Sequence, residues 1–139
     1  MSVTDSAKIR DLIYKYFQIA KSKEIEGIPD FFAEQFTKFG DSPPYDLRDI
    51  DRALMLEQLQ FASISDYDFK ITDLKIETLT TGEVAIAMFV LESTGIIVDD
   101  YSFRGTAINN RSRVTIVFQK DKKNGEWKMR HQHISRLPG

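Results

Sequence analysis

The residues able to do chemistry are few, and most of them lie near the C-terminal end. His131 and His133 are the chain's two histidines, one residue apart in Gly125-Glu-Trp-Lys-Met-Arg-His-Gln-His-Ile-Ser-Arg-Leu-Pro-Gly139. This stretch alternates strictly, and a period of two over that length predicts one β-strand. The two imidazoles then share a face with Trp127, Met129 and Ser135, about 7 Å apart by the strand rise. An imidazole titrates near pH 6.5 unless perturbed, so either could act as a general base. A metal would need a third ligand, and the chain has no further histidine and no cysteine, so no metal is expected. Burial in a core or a subunit interface is the favoured reading of the pair.

The other face of the strand carries Arg130, Gln132 and Ile134. The preceding strand, residues 111–120, reaches it through a turn at residues 121–125 and makes a hairpin with it. If the connecting loop has an even number of residues, Arg111, Arg113 and Thr115 join Arg130 and Gln132 on one face. Val114, Ile116 and Phe118 then join Trp127, Met129 and the histidines on the other. Guanidinium forks suit carboxylates, so Arg113, Arg130 and Gln132 are candidates for the floor of a pocket that takes an anionic or carboxylate-bearing ligand. On the residues alone, solvated arginines over a dry face packed under the helices are the favoured alternative. His131 and His133 take over the ligand-binding role if the opposite face lines the pocket.

Composition narrows the classes. With 139 residues, 42% hydrophobic and 29% charged, the chain reads as one domain with a proper core, residues 1–139. The net charge of -2 offers no global basic field, so nucleic acid is not an expected partner. No apolar run approaches the ~18 residues of a membrane span. Residues 1–8 lack an apolar leader core, and a cytoplasmic location is expected.

The elements that position these groups follow from periodicity. Ile9, Leu12, Ile13, Tyr16, Phe17 and Ala20 form one stripe of an amphipathic helix that begins near Thr4, Asp5 and Ser6. Tyr16 lies within the stripe, so its hydroxyl needs a buried partner, and it is expected to point into the pocket. Pro29 suits a first helical turn, predicting a short second helix over residues 29–35. Residues 37–41 read as a short strand and Ser42-Pro-Pro44 as a loop. Asp46, Asp49 and Asp51 precede a third helix built on Ile50, Ala53, Leu54, Leu56, Leu59 and Phe61. Aspartates there suit the helix macrodipole better than any calcium-loop pattern. From Asp66 the period falls to two, with a parity shift between Ile71 and Leu74 that predicts a bulge near residues 72–73. Residues 80–82 read as a turn and 83–92 as a strand. Residues 95–105, with Asp99, Asp100, Tyr101 and Arg104, read as a looser connection beside a pocket mouth.

Helices first and long strands last predict an α+β fold, with helices packed on one face of a curved antiparallel or mixed sheet. A sheet of that shape closed by a helix leaves a conical cavity. Gly125-Glu-Trp127, His131-Gln-His133-Ile-Ser135, Arg113-Val-Thr115, Tyr16 and Phe31-Phe32-Ala33 resemble the SnoaL-like branch of the nuclear transport factor 2-like superfamily. The ending is also similar to the association domain of calcium/calmodulin-dependent kinase II. The sequence departs from the pattern at Leu47-Arg-Asp-Ile-Asp-Arg52, which lacks a glycine before the third helix. Its hairpin turn is also longer than that of the association domain.

The resemblance implies a conical fold that dimerises through its sheet, in a family of ketosteroid isomerases, cyclases, dehydratases and assembly modules. Similarity to the association domain also implies that the arginine face, with Arg113, Arg130 and Gln132, lines the pocket and binds an anion, while the opposite face forms the dimer interface. In the isomerases a general-base aspartate follows the second helix, and Asp41 lies in a similar place. Two functions are carried forward. One is a cofactor-independent isomerase, cyclase or dehydratase acting by proton transfer, with Asp41 or a histidine as base and Tyr16 as donor. The other is a non-catalytic, homodimeric ligand-binding or assembly module. A carboxylate and a tyrosine within reach of one pocket favour the first.

Overall fold

The computed structural model describes residues 3–41, 45–79, 82–98 and 104–138. The loop expected at residues 42–44 and most of the turn at residues 80–82 lie outside the described residues. So do Asp99, Asp100 and Tyr101.

Helix α1, Val3–Ser22, buries Ile9, Ile13, Tyr16, Phe17 and Ala20 as its stripe requires. It starts before the expected N-cap residues, so Asp5 falls in its first turn, where the dipole favours a carboxylate. Lys23 follows it at φ 65, and its ammonium donates to the Phe61 and Ile64 carbonyl oxygens. Those carbonyls end the second α-helix, so one lysine ties two helix ends together.

The short helix expected at residues 29–35 is replaced by a 3₁₀ helix, Ile25–Phe31, and strand β1, Phe32–Phe39. Phe32 and Phe36 are buried and their rings stack at 4.0 Å. A spacing of four satisfies both the helical and the strand period, so these two residues could not distinguish them. Helix α2, Ile50–Ser63, is capped by Asp49, whose side chain accepts from the Arg52 N–H at 3.0 Å.

Four long strands follow: β2, Ile64–Thr78; β3, Val84–Val98; β4, Gly105–Lys120; and β5, Trp127–Arg136. The sheet order is β1-β5-β4-β3-β2, with β1 parallel to β5 and every other pairing antiparallel. The fold is therefore α+β, with helices on a mixed sheet. Asp66 and Asp73 adopt φ 51 and 56, and β2 shifts register at both places. The second break falls at the expected bulge. Such breaks increase twist and curve the sheet around the helices.

Of the looser connection expected over residues 95–105, residues 95–98 and 105 are strand, because β3 and β4 stay paired from Gly95↔Ile108 to Val98↔Gly105. Gly95 marks a close approach there rather than a turn: a Cβ on it would lie 2.5 Å from Ile64 Cδ1. The inner face of the sheet presents Ala85, Ala87, Phe89, Leu91, Val114, Ile116 and Phe118 to the helices.

Candidate functional site

The site is built where α1, α2 and β1 converge over the inner face of the sheet. Alternation on β1 turns Phe36 and Lys38 inward, leaving Lys38 only 5% exposed. On α2 the i, i+4, i+8 set Ala53, Glu57 and Phe61 faces the same interior. Tyr16 arrives from α1, its ring surrounded by Phe17, Phe31, Phe32 and Phe61. The Tyr16 hydroxyl donates to Glu57 Oε2, and the Lys38 ammonium donates to Oε1. One buried carboxylate is thus held from both sides.

Burial, with the Glu57 charge next, holds the Tyr16 phenol well above its ordinary range, so it remains a donor. Tyr67, from β2, is pushed up as well by burial and by Glu57, with the Ser93 hydroxyl offsetting part of the effect. Two neutral phenols and one ammonium therefore surround Glu57.

A cavity of about 80 Å³ opens beside this cluster. Lys38, Glu57, Ser112 and Gln132 are its most buried polar lining. Phe17, Phe61, Leu91 and Ile134 form apolar walls, and exposed Gln60 and Arg136 mark the mouth. Asp41 lies at that mouth with a side-chain exposure of 20%, 3.6 Å from Arg136 Nη2. Lys38 is registered with Gln132 across the parallel β1–β5 pair and with Arg48 across an antiparallel bridge. Gly40 makes room for that arrangement, since a Cβ there would meet Arg48 Nη1 at 2.8 Å.

The residues singled out from the sequence are thus divided. Gln132 and Asp41 line the cavity, and Tyr16 reaches it through Glu57 rather than directly. Arg113 does not: it is exposed on the outer face, opposite Ser135. Arg130 donates to the Gln35 carbonyl oxygen instead of entering the cavity. His131 and His133 are also on the outer face, opposite Val117 and Thr115 and beside the Phe39 ring. His131 Nδ1 lies 2.8 Å from Thr37 Oγ1. Its pKa is lowered by partial burial first and then by His133, a hydrogen bond with the Thr37 backbone offsetting part of this.

A register change explains the division. The loop between Lys120 and Trp127 is even, and Lys120↔Trp127 and Phe118↔Met129 pair as an even loop requires. The register then slips by one, giving Val117↔His131, Ile116↔Gln132 and Val114↔Ile134. One extra residue, at Arg130, exchanges the faces of everything beyond it. The arginine floor assumed an unbroken ladder.

Lys38 and Glu57 were not among the site residues expected from the sequence. The signals were a lysine two residues after Phe36 on an alternating strand, and a glutamate in the Ala53–Phe61 stripe. Among the described residues no group of three or more His, Asp or Glu side chains is arranged to hold a metal. No helix among them is long and apolar enough to cross a membrane.

Comparison with solved structures gives the same architecture. A putative dehydratase of the nuclear transport factor 2-like family from Streptomyces avermitilis superposes with a TM-score of 0.80. It is 15% identical, and the match covers 99% of this chain and 100% of that one. A nuclear transport factor 2-like superfamily protein from Salmonella enterica serovar Typhimurium gives 0.78 at 18% identity, covering 99% and 95%. The association domain of C. elegans calcium/calmodulin-dependent kinase II gives 0.71 at 15% identity, covering 95% of each chain. At such identities the likeness shows the fold. No curated protein matches the chain by sequence. The family model described as the SnoaL-like domain matches residues 9–138, and the chain belongs to that family.

Proposed function

We propose that the cavity binds a small, uncharged carbonyl compound and that the protein catalyses proton transfer at the carbon beside its carbonyl, without a cofactor. The observation that carries this reading is the pairing of charge within one cavity, Lys38 with Glu57 and Arg136 with Asp41. Paired charges leave little net field, so an anionic ligand is not favoured. Buried donors at one end and a carboxylate at the other suit a carbonyl group with an acidic neighbouring C–H. The carbonyl oxygen accepts from Lys38 and Gln132, which stabilise charge as it develops there. Asp41, 3.6 Å from Arg136 Nη2, takes the proton. Tyr16 and Glu57 are positioning residues that hold Lys38. The cavity volume, well below the ~300–1,000 Å³ of drug-sized sites, limits the ligand to a few heavy atoms. The described likeness to a putative dehydratase is compatible with such chemistry.

The test is loss of α-proton signals from small ketones in deuterated water, followed by proton NMR. The wild-type chain should accelerate exchange, and Asp41→Asn should reduce the acceleration by about 10²–10⁴-fold, the usual contribution of a positioned base. Wild-type protein that neither exchanges nor binds any small carbonyl compound would refute the reading.

A homodimer belongs to the same proposal. Ile86, Met88, Val90 and Val117 are only half-buried on the outer sheet face, which also carries exposed Phe39 on β1. Covering that stripe with a second copy of the sheet would remove it from water. Sedimentation at micromolar concentration should show a dimer, and a monomer there would exclude it. A cytoplasmic location is also proposed, to be checked by fractionating cells that express the chain.

A further inference from the structure

We propose that Lys38 forms a covalent imine with the carbonyl carbon of a small aldehyde or ketone held in the cavity. The inference rests on the reading that the cavity takes carbonyl compounds and adds a bond to it. Three observations carry it. The Lys38 side chain is 7% exposed, yet it lines a cavity that opens at Asp41 and Arg136, so a small molecule can reach the amine. Its ion-pair partner, Glu57, is anchored by Tyr16 through the other oxygen, which leaves Oε1 directed at the amine. Apolar Phe17, Phe61, Leu91 and Ile134 share the remaining wall with polar Ser93, Asn110 and Ser112, and a ligand that fills the cavity removes water from the pair. Removing water disfavours separated charge and promotes transfer of the proton from ammonium to carboxylate.

The bonding changes balance without a further reactant. Glu57 takes one proton from the Lys38 ammonium and leaves a neutral amine. The nitrogen lone pair bonds to the carbonyl carbon, and the carbonyl π pair moves to oxygen. A second nitrogen proton passes to that oxygen, giving a carbinolamine. The C–O bond then breaks as Glu57 returns its proton, water leaves, and the nitrogen lone pair completes a C=N bond. An ammonium and a carbonyl compound become an iminium and water, and Glu57 ends as the carboxylate it was. Such an iminium is a stronger electron sink than the parent carbonyl, so Asp41 would face a more acidic C–H.

The test is reductive trapping of the full chain with propanal and sodium cyanoborohydride at neutral pH, followed by peptide mapping. The expected result is one propyl group on Lys38, appearing about a hundredfold faster than on any exposed lysine, the low end for a positioned acid–base partner. Glu57→Gln should slow this labelling. Lys38→Arg, which keeps the charge but not the nucleophile, should abolish it. Should a variant fail to fold, the wild-type map decides alone. Propyl groups spread over exposed lysines with Lys38 unmodified would overturn the proposal. If ketone exchange persists in that case, the imine is wrong and the carbonyl reading stands. If exchange is also absent, both fall.

Discussion

Removing the Lys38 ammonium should be among the most damaging single changes in this protein. The two side chains of the Lys38–Glu57 pair are 7% and 4% exposed, so solvent screens them little. Lys38→Met preserves the length of the apolar stem and removes only the charge, leaving the Glu57 carboxylate buried and held by the Tyr16 hydroxyl. Breaking a buried pair in this way costs about 3–5 kcal/mol. Glu57→Gln should cost a similar amount, because it strands the ammonium. The double variant Lys38→Met/Glu57→Gln has no buried charge at this position and keeps an amide oxygen for the Tyr16 hydroxyl. It should recover most of the loss, since replacing a whole buried pair is often near neutral. Urea unfolding of the four proteins closes a double-mutant cycle, and a coupling energy of at least about 4 kcal/mol is expected, the two single losses less the small cost of the double variant. Additive single effects would mean that the two charges do not sense each other, and the account of the cavity floor would fail.

Other consequences are checked with less effort. Tyr16→Phe should cost about 1.5–3 kcal/mol in the same assay, the range for a hydrogen bond to a charged group; an unchanged urea midpoint would remove Tyr16 from the cluster. Gln132→Leu should abolish binding of small ketones followed by NMR shifts, whereas Arg113→Ala, on the outer face, should leave it unchanged. His131 has a lowered pKa in the folded protein, so the unfolded chain takes up the proton first as the pH falls. The associated stability is present above about pH 6.5 and is lost as the pH falls through the folded value. His131→Gln should therefore flatten the stability profile between about pH 7 and pH 5, and a profile as steep as the wild type would refute the sign.

Much of the fold was legible because hydrophobic period reports burial locally. The α1 stripe, the Asp49-capped α2 and the alternation of β3 need only neighbouring residues to be read. The bulge at Asp73 was legible for the same reason: apolar side chains switch parity between Ile71 and Leu74. A similar switch exists on β5, where Ile134 is out of step with Trp127 and Met129. It was hidden because His131, Gln132 and His133 suit either face of a sheet, so alternation continued through the slip. Pairing partners decided it. Parallel pairing with β1 registers Thr37 with His131 and Lys38 with Gln132, which fixes which side of β5 faces the helices. The charged cluster is of the same kind. Nothing near Lys38 in sequence supplies its carboxylate, and nothing near Glu57 supplies its phenol. Tyr16, Lys38 and Glu57 meet because a curved sheet brings α1 and α2 over β1, and a buried charge is tolerated only where such distant partners converge.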